Sequence, residues 1–218
     1  MRECAVTKSA IAFLVAASLV FGACSAGSDG SPSDDPTDKG SVGSHGPLSA
    51  SVQPGLKAVY APKRVPYFVT FGSFRLCRKS DAEGTPVLER VAYTTSVEPS
   101  SISPIIRRIP PAEDRAGQAI NWAPLLGVLG KPRNYYFGKA KGRLEQVSGS
   151  RVEDLCSEIK DHDHEYTELL NVMKVSAAGG QVENFSIYYH VGRDEFVLQV
   201  PWTLIGCGAQ IDPSICQR

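Results

Sequence analysis

The 218-residue chain has room for one folded domain plus accessory segments, and a hydrophobic content of 42% is enough for a core of ordinary size. Its formal net charge is zero, and without the first 23 residues, which carry Arg2, Lys8 and Glu3, 21 basic side chains stand against 22 acidic ones. A chain with no net field does not draw in a polyanion, so nucleic acid is excluded as a partner class.

Residues 1–23 read as a secretion signal: Arg2 and Lys8 flank the start, Ser9 to Ala23 run without a charge, and small residues precede Cys24. That run of 15 residues falls short of the roughly 20 that a helix needs to cross a bilayer, so a cleaved leader is expected rather than a span. The residues "FGAC" at 21–24 resemble the lipobox of bacterial lipoproteins, with Phe21 where leucine is usual. The resemblance implies that Cys24 becomes the first mature residue and carries a diacylglyceryl group; the alternative is a secreted protein cut near Ala23.

Residues 24–60 are expected to be this lipidated cysteine followed by a tether. From Ser25 to Ala50, 19 of 26 residues are Ser, Gly, Pro or Asp and none is aromatic, so the stretch cannot bury enough apolar surface to offset its ordering entropy.

From residue 61 to 218 the pattern changes to short runs rich in Val, Ile, Tyr, Phe and Thr, broken by Gly, Pro, Asp and Ser, which predicts strands and turns. "YFVTFGSFRLC" (67–77) places Phe68, Phe74 and Leu76 on one parity and Tyr67, Val69 and Phe71 on the other, as in a strand buried on both faces. Further strands are predicted at 87–96, 103–109, 143–152, 165–175, 185–190 and 195–206, with "VGRD" joining the last two as a hairpin. Seven short strands predict an all-β, immunoglobulin-like two-layer β-sandwich, with a closed β-barrel as the alternative. Between them, Pro110 to Asn134 holds four prolines and an apolar "INWAPLLGVLG", read as an irregular packed flap in which Trp122 fills the core or a lid.

"GRDEFVLQVPWTLIGCG" (192–208) resembles the closing hairpin of uncharacterised secreted or membrane-attached actinobacterial proteins, and "FRLC" followed by a turn and "VLERV" is similar to their opening strands. The resemblance implies the fold and the compartment and carries no activity.

With Cys4 in the leader and Cys24 lipidated, Cys77, Cys156, Cys207 and Cys216 remain, an even set expected to form two disulfides outside the cytoplasm. Of the three connectivities, Cys77 with Cys207 and Cys156 with Cys216 is favoured, because first and last strands of such sandwiches often run side by side.

The densest set of potential ligands is "KDHDHEYTELL" (160–170). On a strand, His162 and His164 share one face about 6.5–7 Å apart, and His190 is the third histidine that could complete a zinc or copper site. An EF-hand beginning at Asp161 fails, because Tyr166 and Val172 stand where Gly and Glu are required. A solvated loop accounts for the stretch better, and no metal or cofactor is assigned. "SEIK" (157–160) has the spacing of a serine and lysine pair but lacks its partner motifs. "RNYYFGK" (133–139) offers aromatics that could stack on a sugar or peptide, but core and surface alternation explains them more cheaply. No catalytic residue is assigned. The expected function is a lipid-anchored extracytoplasmic binding or envelope-interaction module, with the membrane and an envelope protein as partners; a small metal-dependent or hydrolytic enzyme is the alternative.

Overall fold

The computed structural model describes residues 46–60, 62, 64–79, 83–111, 127–132, 143–158 and 165–216. Among these the chain is all-β: β1 (Leu48–Ala50), β2 (Gly55–Val59), β3 (Tyr67–Arg78), β4 (Val87–Val97), β5 (Ser101–Ile109), β6 (Val128–Leu129), β7 (Arg143–Glu145), β8 (Tyr166–Val175), β9 (Gly180–Val191), β10 (Asp194–Val200) and β11 (Trp202–Gly206). They form the expected two-layer β-sandwich, and neither sheet closes into a barrel. One sheet runs β1-β3-β8-β5-β7 with β6 also on β3; the other runs β10-β9-β11-β2 with β4 also on β9.

Side chains from both inner faces interdigitate. Phe71, Phe74, Leu169 and Met173 of the first sheet meet Phe185, Ile187, Tyr189 and Leu204 of the second, and all eight are fully buried. Phe74 lies edge-on to Phe185 at 5.0 Å and to Trp202 at 5.4 Å, the arrangement that suits the ring quadrupoles. Each such side chain taken out of water stabilises the fold by about 1.5–3 kcal/mol before entropy is counted.

The strand parity expected for β3 is corrected by a bulge. Its register against β8 shifts between Phe71 and Phe74, and Ser73 sits at φ 75°. One extra residue reverses the alternation, so Tyr67, Val69, Phe71, Phe74 and Leu76 all join one core, while Phe68 faces outward beneath Lys131. The strand expected at 195–206 is two, because Pro201 has no N–H to donate and the register slips by one residue around it: Val200 pairs with Phe185 but Leu204 with Val182. The strand expected at 143–152 ends at Glu145 and gives way to a turn whose Ser150 and Gly149 hydrogen-bond Leu88. "VGRD" does form the two-residue hairpin, with Gly192 at φ 62°.

Two expectations are overturned. The tether does not extend to residue 60: β1 and β2 are strands of the sandwich, and Leu48 and Ala50 are fully buried. Their apolar residues are few, but each docks on a long partner, β1 on the end of β3 and β2 parallel to β11. The disulfides join Cys77 to Cys156 and Cys207 to Cys216, not Cys77 to Cys207 and Cys156 to Cys216. Cys207 lies at the Tyr67 end of β3, where the Tyr67 hydroxyl donates to its carbonyl at 2.8 Å. Cys77 is ten residues further along the strand, about 33 Å away. It meets Cys156 instead, because Arg78 exchanges backbone hydrogen bonds with Asp154 and Cys156. The Cys207–Cys216 ring folds back over the outer face of the second sheet, closing Ile211, Ile215 and Ile205 into a small second core.

Candidate functional site

Most residues that the sequence singles out lie outside the described residues: Cys24, Trp122, "RNYYFGK", Asp161, His162, Asp163 and His164. His190 is described and stands on β9, its Nδ1 at 2.8 Å from Glu89 Oε1 on a partly exposed face. Among the described residues no three His, Cys, Asp or Glu side chains gather as metal ligands would. Ser157 of "SEIK" occupies a turn, and no helix begins there among the described residues.

The polar chemistry of the sandwich gathers around β8, the central strand of the first sheet. Glu168 is fully buried, and pairing across the strands sets it between Arg75 of β3 and Arg107 of β5. Its Oε2 accepts from Arg107 Nε at 2.7 Å and from Arg107 Nη2, and its Oε1 accepts the Ser73 backbone N–H at 2.8 Å. The carboxylate thus holds the bulge in its left-handed conformation while it neutralises a buried guanidinium. Arg75 turns over the Tyr166 ring, 5.0 Å from its centroid.

One residue further along each strand is a second network. Asp154 accepts from the Thr167 backbone N–H at 2.8 Å and from its hydroxyl at 2.6 Å, and Thr167 Oγ1 accepts in turn from Arg108 Nη1 at 2.6 Å. Arg108 also donates to Glu145 at 3.2 Å and to the Arg151 carbonyl at 2.5 Å, tying β5, β7, β8 and the loop after β7 together.

Burial pushes the Asp154 carboxyl above its ordinary value, outweighing the Thr167 hydrogen bonds and Arg108, which pull it down. Because the folded value exceeds the unfolded one, this group's contribution to stability is greatest when it is protonated. The contribution falls as the pH rises from the unfolded carboxylate range through the folded value. Wild type minus Asp154→Asn stability, measured by urea denaturation across acid pH, should therefore decline with rising pH; a difference that grows would contradict the assignment.

The second network opens on a polar cleft of about 480 Å³ lined by Arg108, Arg143, Glu145, Arg151, Glu153 and Glu165. Across Glu145 lies an apolar cleft of about 440 Å³ at the open edge between the sheets, formed by Val91, Pro104, Ile105, Leu144 and Val147. Glu145 is paired with Arg108 and Arg143, and Glu153 with Arg151. Of these, the mostly buried Arg108–Glu145 pair presents its donors and acceptors at fixed positions, while Arg143, Arg151 and Glu153 are exposed.

Sequence reasoning passed over Arg107 and Glu168. The signal was there: "IIRRI" and "YTELLNV" each place charge inside an otherwise apolar strand, and a charge in a strand buried on both faces needs a partner. No protein-family model matches the chain, and no curated protein matches it.

Proposed function

We propose that the chain is a lipid-anchored extracytoplasmic module of the cell envelope that binds a partner and has no catalysis of its own. The observation that carries this reading is the pair of disulfides, Cys77–Cys156 and Cys207–Cys216, which fit an oxidising compartment. The leader ending in "FGAC" adds the route there and the anchor, and the likeness of residues 192–208 to the closing hairpin of secreted or membrane-attached actinobacterial proteins adds the setting. The paired carboxylates and guanidiniums around β8 support a scaffold and binding role over an enzymatic one.

Several acyl chains at about 0.8 kcal/mol per buried CH₂ make Cys24 a firm anchor, where a single chain binds only marginally. The 21 residues from 25 to 45 would span about 23–27 Å as a free Gly/Ser-rich coil. The domain therefore searches only the membrane-proximal layer, and its partner is a membrane or envelope component. Detergent phase partitioning of wild type and Cys24→Ser tests the reading: wild type is expected in the detergent phase and the variant in the aqueous phase. Aqueous partitioning of both would leave the protein secreted rather than anchored.

A further inference from the structure

Four large hydrophobic side chains are exposed among the described residues, and three of them belong to neighbouring elements at one side of the sandwich. Leu56 (52% exposed) is on β2, at the edge of the second sheet; Leu129 (47%) is on β6, at the edge of the first; Val65 (49%) is on the segment linking β2 to β3. The two edges abut. A Cβ on Gly127, just before β6, would lie 3.0 Å from Val59 Cγ2 and 3.1 Å from Lys57 Cγ. Between the edges runs a cleft of about 540 Å³, lined by Lys57, Ala58, Val59, Tyr60, Pro62 and Leu129.

Among the described residues that line this cleft one is basic and none is acidic. Lys57 lines the cleft beside Leu129, Arg64 precedes Val65 in the chain, and Lys131 lies over the Phe68 ring at 4.3 Å. From Lys39 to Ser80 the chain has seven basic residues and no Asp or Glu, and from Arg115 to Leu144 it has six and none. Among the described residues neither Lys57 nor Arg64 pairs with a carboxylate.

We propose that this β2–β6 side docks on an anionic lipid surface, with Leu56, Val65 and Leu129 entering the headgroup boundary and Lys57, Arg64 and Lys131 meeting lipid phosphates. Aliphatic side chains ringed by basic ones are the signature of interfacial membrane binding. Protein hot spots instead centre on large side chains in packed pockets, whereas Leu56, Val65 and Leu129 stand about half exposed. The chain outside the structure permits the contact. The proposal rests on anchorage at Cys24; residues 25–45 then lead to β1, which shares the open edge of β3 with β6. Fully extended, those residues reach about 70 Å, roughly twice the length of β3, so the anchor leaves this side free to lie flat. Docking would orient the opposite edge, with its polar and apolar clefts, away from the bilayer.

The test uses the mature chain with Cys24→Ser, so that binding is read without the lipid and its outcome is separate from detergent partitioning of the wild type. Flotation with phosphatidylglycerol–phosphatidylcholine vesicles should show binding that falls with added salt, and pure phosphatidylcholine vesicles should show little. Each of Lys57→Gln, Arg64→Gln and Lys131→Gln is expected to lower the partition coefficient about five-fold. Leu56→Ser with Leu129→Ser should lower it further, while Val197→Ser, on β10, leaves it unchanged. Absence of binding to the anionic vesicles, or equal binding by wild type and the triple Gln variant, overturns the proposal. So does a photo-crosslink from position 129 to an envelope protein in intact cells when vesicle binding is absent, which would assign the surface to a protein partner.

Discussion

Glu168→Gln is expected to destabilise the domain by about 3–5 kcal/mol, as read from the urea midpoint at unchanged slope. The substitution leaves the Arg107 guanidinium buried without a counter-charge and weakens the acceptor that holds Ser73 at φ 75°. The size of the effect reflects the charge left behind more than the worth of the pair. Replacing both partners with apolar residues of similar volume, Glu168→Leu with Arg107→Met, should therefore recover a large part of the loss. If Glu168→Gln cost less than about 1 kcal/mol, water would have to reach the pair, and β8 would not be buried on both faces as described.

The two disulfides should differ in weight. Cys77→Ala with Cys156→Ala opens a loop with a sequence separation of 79 and is expected to cost about 4–5 kcal/mol in the chain-entropy model. Cys207→Ala with Cys216→Ala opens a separation of 9 and should cost about 2.5–3 kcal/mol. The second pair has a local signature as well, because it holds Ile211 and Ile215 over Ile205. Its loss should speed hydrogen exchange in β11 before the sandwich as a whole unfolds. Equal costs for the two pairs would show that loop closure is not the main source of their stabilisation.

Strand identity was legible where the chain carried long apolar or alternating runs. β3, β4, β5, β8 and β9 were all found, and so was the tight hairpin at Gly192. Single-residue events were not. The extra residue at Ser73 moves Phe74 and Leu76 to the face opposite the one that strict alternation gives them, and nothing in "FGSF" except a small Gly-Ser pair marks the place. Short strands were hidden for a different reason. "LSA" and "GLKAV" have too few apolar residues to stand alone and become strands only because long partners offer open edges, so composition assigned them to the tether.

The cysteine pairing failed on geometry of the same non-local kind. The four cysteines were identified, but which two meet depends on where β3 ends and on the return of Asp154 to Cys156 alongside Arg78. Of the candidate site, the charges at Arg107 and Glu168 were visible in sequence, but their partnership follows from β5 and β8 being neighbours in a particular register. The β2–β6 side shows the reverse case. Its long run without an acidic residue is plain in the sequence, and its exposed leucines become visible only when the two sheet edges are set together.

Anchorage outside the cytoplasm is the claim on which the rest depends, and mass spectrometry of the mature N-terminal peptide tests it most directly, on protein isolated from the membranes of the cell that makes it. The account predicts a peptide beginning at Cys24 with a thioether-linked diacylglycerol on its sulfur. A mature chain that begins elsewhere, or one that begins at Cys24 with a free thiol, would contradict it.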